Sequence, residues 1–315
     1  MAIALVFPGQ GSQTIGMGKA LAGEFAQARA VFAEVDAALS QNLSALIFEG
    51  PESELTLTAN AQPALMAVSM AVIAVLESEA GLDVARDVKF VAGHSLGEYS
   101  ALAAARSFSL SDAARLLRIR GDAMQKAVPV GEGAMAAILG LDLPAVAEIA
   151  RRAGEHGGVC QAANDNGGGQ VVVSGNKAAV ALAMELAKGR GAKRAILLPV
   201  SAPFHCALMQ PAAEAMEAAL ARVDLKRPAA PLVANVLAEA IESPADIRRR
   251  LVEQVTGTVR WADSIAYMAG HGVDCFYEIG AGKVLSGLLR RIAPEARGVA
   301  IGGPADLSAF QSPRA

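Results

Sequence analysis

Gly93-His94-Ser95-Leu96-Gly97 sets a serine between small residues in the pattern G-x-S-x-G. Val88 to Ala92 before it reads as a strand, and an Ala-rich helical pattern follows through Ala105. A sharp turn from strand to helix lifts a hydroxyl above a sheet, and it needs small flanking residues to avoid clashes. The start of the next helix also carries unpaired N–H groups, so the Leu96 amide can face a developing oxyanion. The plainer alternative is a glycine turn whose serine only caps a helix. The strand-turn-helix setting favours Ser95 as a nucleophile.

A serine hydroxyl needs a neighbour to accept its proton, most often histidine. The chain has four histidines. His94 adjoins Ser95, so its side chain should diverge from the hydroxyl. His156 sits in the loop-like stretch Gly154 to Gly158, and His271 lies between Gly270 and Gly272, where a helix ends and a cation suits the dipole. His205 follows Pro203-Phe204, where the chain leaves an inserted segment and turns back toward the main body. It is the best placed base, with a packed core histidine as the alternative. No acidic partner for it is evident.

The helical stretch Ser111 to Ala127, capped by Ser111-Asp112, holds Arg115, Arg118 and Arg120. Ala113, Leu116, Leu117, Arg120, Met124 and Ala127 share one face, so Arg120 lies in an apolar stripe while Arg118 points elsewhere. A buried guanidinium without a partner is very costly, and its planar fork suits a carboxylate held by two parallel hydrogen bonds. An internal Asp or Glu, or a side chain that reaches out to water, would serve equally well.

These groups need a scaffold, and the chain alternates short apolar runs with helical patterns, as an α/β fold with parallel strands requires. Ala2 to Phe7 reads as a strand ending in the polar turn Pro8-Gly9-Gln10-Gly11-Ser12-Gln13, with helix from Lys19 to Leu39. Gln62-Pro63 opens an apolar helix, with proline in its first turn. Later come a strand at Leu232 to Asn235, a helix at Asp246 to Gln254, and a strand at Cys275 to Ile279. The helix Val284 to Ile292 and an edge strand at Val299 to Ile301 close the chain. Between them Ala134–Leu139, Leu143–Arg152, Val159–Ala163, Gln170–Ser174, Lys177–Lys188 and Arg194–Leu198 read as βαββαβ, a ferredoxin-like pattern. The expected architecture is a larger hydrolase-like α/β domain with a parallel sheet, residues 1–129 and 200–315, and an inserted ferredoxin-like subdomain, residues 130–199.

The bulk composition narrows the class. The chain of 315 residues is 53% hydrophobic and only 4% aromatic, so Ala, Val, Leu, Ile and Met must fill its core. Mean hydropathy is +0.36, yet the longest apolar run, Ala64 to Leu76, interrupted only by Ser69, is shorter than the ~20 residues of a membrane span. No membrane association is expected. Met1 to Phe7 lacks the basic start of a signal peptide. A formal charge of -3 argues against nucleic acid as a partner. Cys160, Cys206 and Cys275 form no CxxC pair, so neither a disulfide framework nor a metal site is indicated, and a reducing cytoplasm is expected. The basic runs Lys188 to Arg194 and Arg248 to Arg250 read first as solvated faces.

The motifs together resemble the malonyl-CoA:acyl carrier protein transacylases of bacterial fatty acid synthesis and the acyltransferase domains of polyketide synthases. The resemblance runs from Phe7-Pro8-Gly9-Gln10-Gly11-Ser12-Gln13 through Gln62-Pro63-Ala64-Leu65, Gly93 to Glu98, and Arg120-Gly121. It continues at Ser201-Ala202-Pro203-Phe204-His205 and Gln254, and ends at Glu278-Ile279-Gly280-Ala281-Gly282-Lys283. It implies Ser95 as nucleophile, His205 as base and then acid, and the Gln254 backbone carbonyl as the group orienting the imidazole. It also implies an oxyanion hole from the Gln10 and Leu96 amides, Arg120 on the malonyl carboxylate, and Gln62, Met124, Asn164 and Phe204 along the pocket. Malonyl-CoA and acyl carrier protein would be the substrates and no cofactor would be needed; the run Lys188 to Arg194 is a candidate landing surface for the acidic carrier. The loop Asn164 to Gln170 is richer in glycine than the resemblance leads one to expect.

Rival readings are a serine thioesterase, the malonyltransferase of a malonate decarboxylase, and a silent carrier-binding module. An α/β-hydrolase orders its triad serine, acid, histidine, with the histidine near the C-terminus, whereas His205 lies mid-chain.

Overall fold

The computed structural model describes residues 1–312. Its strands, in chain order, are β1 (Ile3–Phe7), β2 (Val88–Gly93), β3 (Gly133–Leu139), β4 (Cys160–Asp165), β5 (Gln170–Asn176), β6 (Arg194–Leu197), β7 (Leu232–Val233), β8 (Ala240–Ile241), β9 (Val259–Arg260), β10 (Cys275–Ile279) and β11 (Arg297–Ile301). They form a six-stranded sheet in the order β11-β10-β1-β2-β7-β8 and a five-stranded sheet in the order β6-β3-β5-β4-β9.

The large sheet is parallel except for β8. β1 is buried at every position, as befits a strand covered on both faces. Its alternate side chains serve two cores. Ile3, Leu5 and Phe7 join the cluster containing the helix Thr58–Glu79, while Ala4 and Val6 pack with Trp261, Ile265 and Met268. Phe7 pairs with Gly93, so β1 and β2 end side by side. The turns that follow therefore share the crevice beyond the carboxyl ends of the strands, the usual site of function in such sheets.

In the small sheet β3, β4, β5 and β6 pair antiparallel, in the spatial order of a split βαβ unit. The helices Leu143–Gly157 and Lys177–Gly189 cover one face through Ile138, Val146, Ile149, Val171, Val173 and Val180. The opposite face turns Met135, Ala137 and Val172 toward the core of the large sheet. β9, two residues from outside the insertion, adds a parallel edge to β4; so short a strand leaves no periodic pattern to read.

Several element boundaries differ from the sequence expectation, each for a local reason. The helix expected over Lys19 to Leu39 is two, Lys19–Glu24 and Ala26–Leu39, broken at Phe25 in extended conformation. Arg29 Nη1 reaches back to the carbonyls of Ala22 and Gly23, which the break leaves without helical partners. The helix Leu110–Ala127 is capped by Ser109, not by Ser111-Asp112: Ser109 Oγ accepts from the Asp112 N–H at 3.0 Å. His156 stands in the last turn of Leu143–Gly157 and not in a loop.

The apolar helix begins at Thr58, so Pro63 lies inside it and the Ala59 carbonyl loses its usual donor. At 22 residues this helix is long and apolar enough to cross a membrane, yet 89% of its apolar window is buried within the fold. A helix apolar all round is what a core position between other helices requires.

Candidate active site

The turn at Ser95 is built by close approach. A Cβ on Gly93 would fall 1.9 Å from the Gly97 carbonyl carbon, and one on Gly97 would fall 2.3 Å from the Phe7 carbonyl oxygen. Neither contact has room for a methyl group. Ser95 itself sits at φ 54°, and His205 at φ 59°. Non-glycine residues in this left-handed region cost roughly 1–3 kcal/mol each and persist only where surrounding contacts impose them.

Those contacts are visible at Ser95. Its N–H donates to Asn235 Oδ1 at 2.9 Å, Asn235 Nδ2 donates to the Gly93 carbonyl at 2.7 Å, and Gln254 Nε2 donates to the Ser95 carbonyl at 2.9 Å. With the Ser95 amide occupied, the amides of Gln10 and Leu96 are the neighbours without a hydrogen bond among the described residues. The Phe7 carbonyl accepts from the His94 N–H at 3.0 Å, which brings the turn after β1 against the serine turn.

Ser95 Oγ lies 2.7 Å from His205 Nε2, and His205 Nδ1 lies 2.9 Å from the Gln254 carbonyl oxygen. A carbonyl only accepts, so Nδ1 carries the proton and Nε2 presents its lone pair to the hydroxyl. Such a pair can take a proton from serine without a carboxylate. Arg120 is 1% exposed. Its Nη1 donates to Gln62 Oε1 at 2.8 Å, and its Nη2 donates to Gln254 Oε1 at 2.9 Å and to Ser95 Oγ at 3.1 Å. Every one of these partners is neutral, and Nε has none among the described residues. Arg118, by contrast, turns to Asn60 and Gln41.

Ser95, His205 and Arg120 open onto a pocket of about 530 Å³, lined also by Gln10, Gln62, Leu96, Met124, Asn164 and Phe204. Gln254 stands behind it. The small sheet supplies the far wall through Met135, Ala137, Val172 and Leu198, so the pocket lies between the two sheets. No group of three or more His, Cys, Asp or Glu suited to a metal ion occurs among the described residues.

With this geometry in view, comparison with known proteins is decisive. The acyl transferase domain matches residues 4–299. The chain belongs to the acyl transferase family. The malonyl CoA-acyl carrier protein transacylase of Bacillus subtilis strain 168 is 49% identical over 302 residues, 96% of this chain and 94% of that protein. The crystal structure of acyl-carrier-protein-S-malonyltransferase from Bartonella henselae superposes with a TM-score of 0.96 at 60% identity, covering 98% of each chain. A malonyl-transacylase in complex with its type II PKS acyl-carrier protein gives a TM-score of 0.94 at 40% identity, again over 98% of each chain.

Three contributors to this acyl transferase site are given no role by the sequence alone. Asn235 pins the serine turn, and Glu98 contacts Gln254. Asn166 Oδ1 lies 2.9 Å from His94 Nε2, which turns His94 away from the hydroxyl toward the small sheet. Only Glu98 left a trace, as the one charged residue of the Ala-rich helix Gly97–Ala104. The glycine-rich loop has a structural reason: Gly167, Gly168 and Gly169 all adopt positive φ, and a Cβ on Gly167 would fall 2.4 Å from Ile292 Cγ1. The loop packs on the helix Val284–Ile292.

Burial, reinforced by the positive charge of Arg120, pushes His205 down to about 3 from its ordinary 6.5. The imidazole is therefore neutral in the folded acyl transferase at neutral pH. Between about 3 and 6.5 the unfolded chain binds a proton that the folded chain refuses, so this residue lowers stability as pH falls through that window. Chemical denaturation of the parent and of His205→Asn at pH 7 and pH 4 should show the difference shifting in the variant's favour at pH 4. A difference independent of pH would contradict the burial of a neutral imidazole.

Proposed function

We propose that this acyltransferase moves the malonyl group of malonyl-CoA to the phosphopantetheine thiol of acyl carrier protein through an ester on Ser95, supplying fatty acid chain elongation. The observation that carries the reading is a buried guanidinium 3.1 Å from a serine hydroxyl that is itself 2.7 Å from an imidazole. A nucleophile beside a positive charge selects an acyl group with an acid tail.

In the first half-reaction His205 Nε2 takes the Ser95 proton as Oγ attacks the thioester carbon. The oxyanion meets the Gln10 and Leu96 amides, and Arg120 meets the free carboxylate of malonate with the donors its neutral partners leave over. As the tetrahedral intermediate collapses, the C–S bond breaks and His205 returns the proton to the sulfur of coenzyme A. In the second half-reaction the carrier's thiol gives its proton to His205 and attacks the ester. The C–O bond then breaks, and the proton passes to Ser95 Oγ. The Gln254 carbonyl holds the imidazole throughout, in place of a carboxylate. Gln62, Met124, Asn164 and Phe204 shape the acyl pocket, with Phe204 leaving little room for an added methyl group. No metal or cofactor takes part in these steps.

The division into residues 1–129 with 200–315 and an inserted 130–199 belongs to the same reading, since it sets the pocket between the two parts. Lys188, Arg190, Lys193 and Arg194 are all exposed and suit the approach of an acidic carrier. Three free, buried cysteines fit a reducing cytoplasm.

Release of coenzyme A from malonyl-CoA separates transfer from hydrolysis. With enzyme in catalytic amounts, continued release should require holo carrier protein, stopping after about one equivalent without it. Sustained release into water alone would make the protein a thioesterase.

A further inference from the structure

Glu98 is fully buried, yet no step described above uses it. It is the second residue of the helix Gly97–Ala104, directly behind the serine turn. Its Oε2 accepts from Gln254 Nε2 at 2.6 Å and from the Asn235 N–H at 3.3 Å. Its Oε1 has no partner among the described residues. A carboxylate at this depth is expensive to keep, which calls for a reason.

The reason lies in the Gln254 amide. Such an amide has nearly the same shape when turned end for end, so only its neighbours decide which way it faces. Here Nε2 faces three acceptors, Glu98 Oε2 at 2.6 Å, the Ser95 carbonyl at 2.9 Å and Asn235 Oδ1 at 3.3 Å, while Oε1 faces Arg120 Nη2 at 2.9 Å. Turned over, the amide would set oxygen against the Glu98 oxygen and N–H against the guanidinium. Glu98 makes the shortest of these contacts, so it is the strongest restraint on the orientation.

We infer that Glu98 is a positioning residue for substrate selection: its Oε2 fixes the Gln254 amide so that Oε1 anchors the guanidinium of Arg120. The inference rests on the reading that Arg120 meets the malonyl carboxylate. Burial pushes the Glu98 carboxyl up to about 7. Because Oε1 is unpartnered and can carry the proton, Oε2 remains an acceptor in either state. Acceptor geometry is what the role requires, and Glu98→Gln retains it.

The test compares kcat/KM for malonyl-CoA and for acetyl-CoA, with holo carrier protein as acceptor, in the parent, Glu98→Gln and Glu98→Ala. Loss of a hydrogen bond to a charged network predicts that Glu98→Ala lowers the malonyl-to-acetyl ratio about tenfold or more, while Glu98→Gln stays within about threefold of the parent. An unchanged ratio in Glu98→Ala would overturn the inference, including the case where both substrates lose equally. Equal loss of the ratio in both variants would also overturn it, because that assigns the effect to charge. Should Ala leave an unfolded chain in a thermal melt, Glu98→Leu fills the volume without accepting a hydrogen bond and carries the same comparison. A parent enzyme showing no preference for malonyl would refute the functional reading itself.

Discussion

Ser95→Ala lowers kcat/KM for malonyl transfer about 10⁴-fold or more, the loss usual when a nucleophile is removed from a unit that acts together. The structure leaves no substitute. Among the described residues the hydroxyl is the group hydrogen-bonded to His205 Nε2, at 2.7 Å, and the N–H and carbonyl of the same residue are already held by Asn235 and Gln254. Alanine keeps those backbone contacts, so the fold should survive and the thermal midpoint should move little. A steady-state assay with malonyl-CoA and holo carrier protein measures the effect. Residual transfer within about tenfold of the parent would mean another nucleophile carries the acyl group.

Arg120→Ala lowers kcat/KM for malonyl-CoA by about 10²- to 10³-fold, as expected when a carboxylate loses two charge-assisted hydrogen bonds in a dry pocket. Acetyl-CoA, which has no acid tail, should lose no more than about tenfold, reflecting only the missing contact from Nη2 to Ser95 Oγ. The preference for malonyl over acetyl therefore collapses. Arg120→Lys should not restore it, because an ammonium is a point charge and cannot span both Gln62 and Gln254 as the fork does. Equal losses for the two substrates would remove Arg120 from selection and leave it a structural role.

The parts of the fold most legible in the sequence are those fixed by short-range chemistry. β1 is a continuous apolar run because both of its faces are covered, and β2 and β10 break that pattern only at Lys89 and Glu278. The serine turn is legible because Gly93 and Gly97 are forced by contacts under 2.5 Å. The helix starts were less so. Thr58 enters a helix five residues before Pro63 because Gln10 and Gln62 engage its hydroxyl, and tertiary partners of that kind leave no local pattern.

At the site, the residue types pointed to Ser95, His205 and Arg120 as candidates. What they do to one another was hidden. Gln254 could be named only for its backbone carbonyl, by resemblance, whereas its side chain joins Arg120, Glu98 and Ser95 across 134, 156 and 159 residues of sequence. Asn235 reaches Ser95 across 140. A buried amide or carboxylate chooses its partner by distance and hydrogen-bond type, neither of which a single sequence records. That the direct hydrogen-bond partners of Arg120 are the neutral Gln62, Gln254 and Ser95 was equally unreadable, since an internal Asp or Glu would have given the same amphipathic pattern.

The central claim is that acyl transfer passes through an ester on the serine between Gly93 and Gly97. The most direct measurement is the intact mass of the protein after brief exposure to malonyl-CoA without carrier, followed by peptide mapping. The account predicts a gain of one malonyl group, located on Ser95, absent from Ser95→Ala and removed when holo carrier protein is added. A gain that persists in Ser95→Ala, or that maps to another residue in the parent, would contradict it.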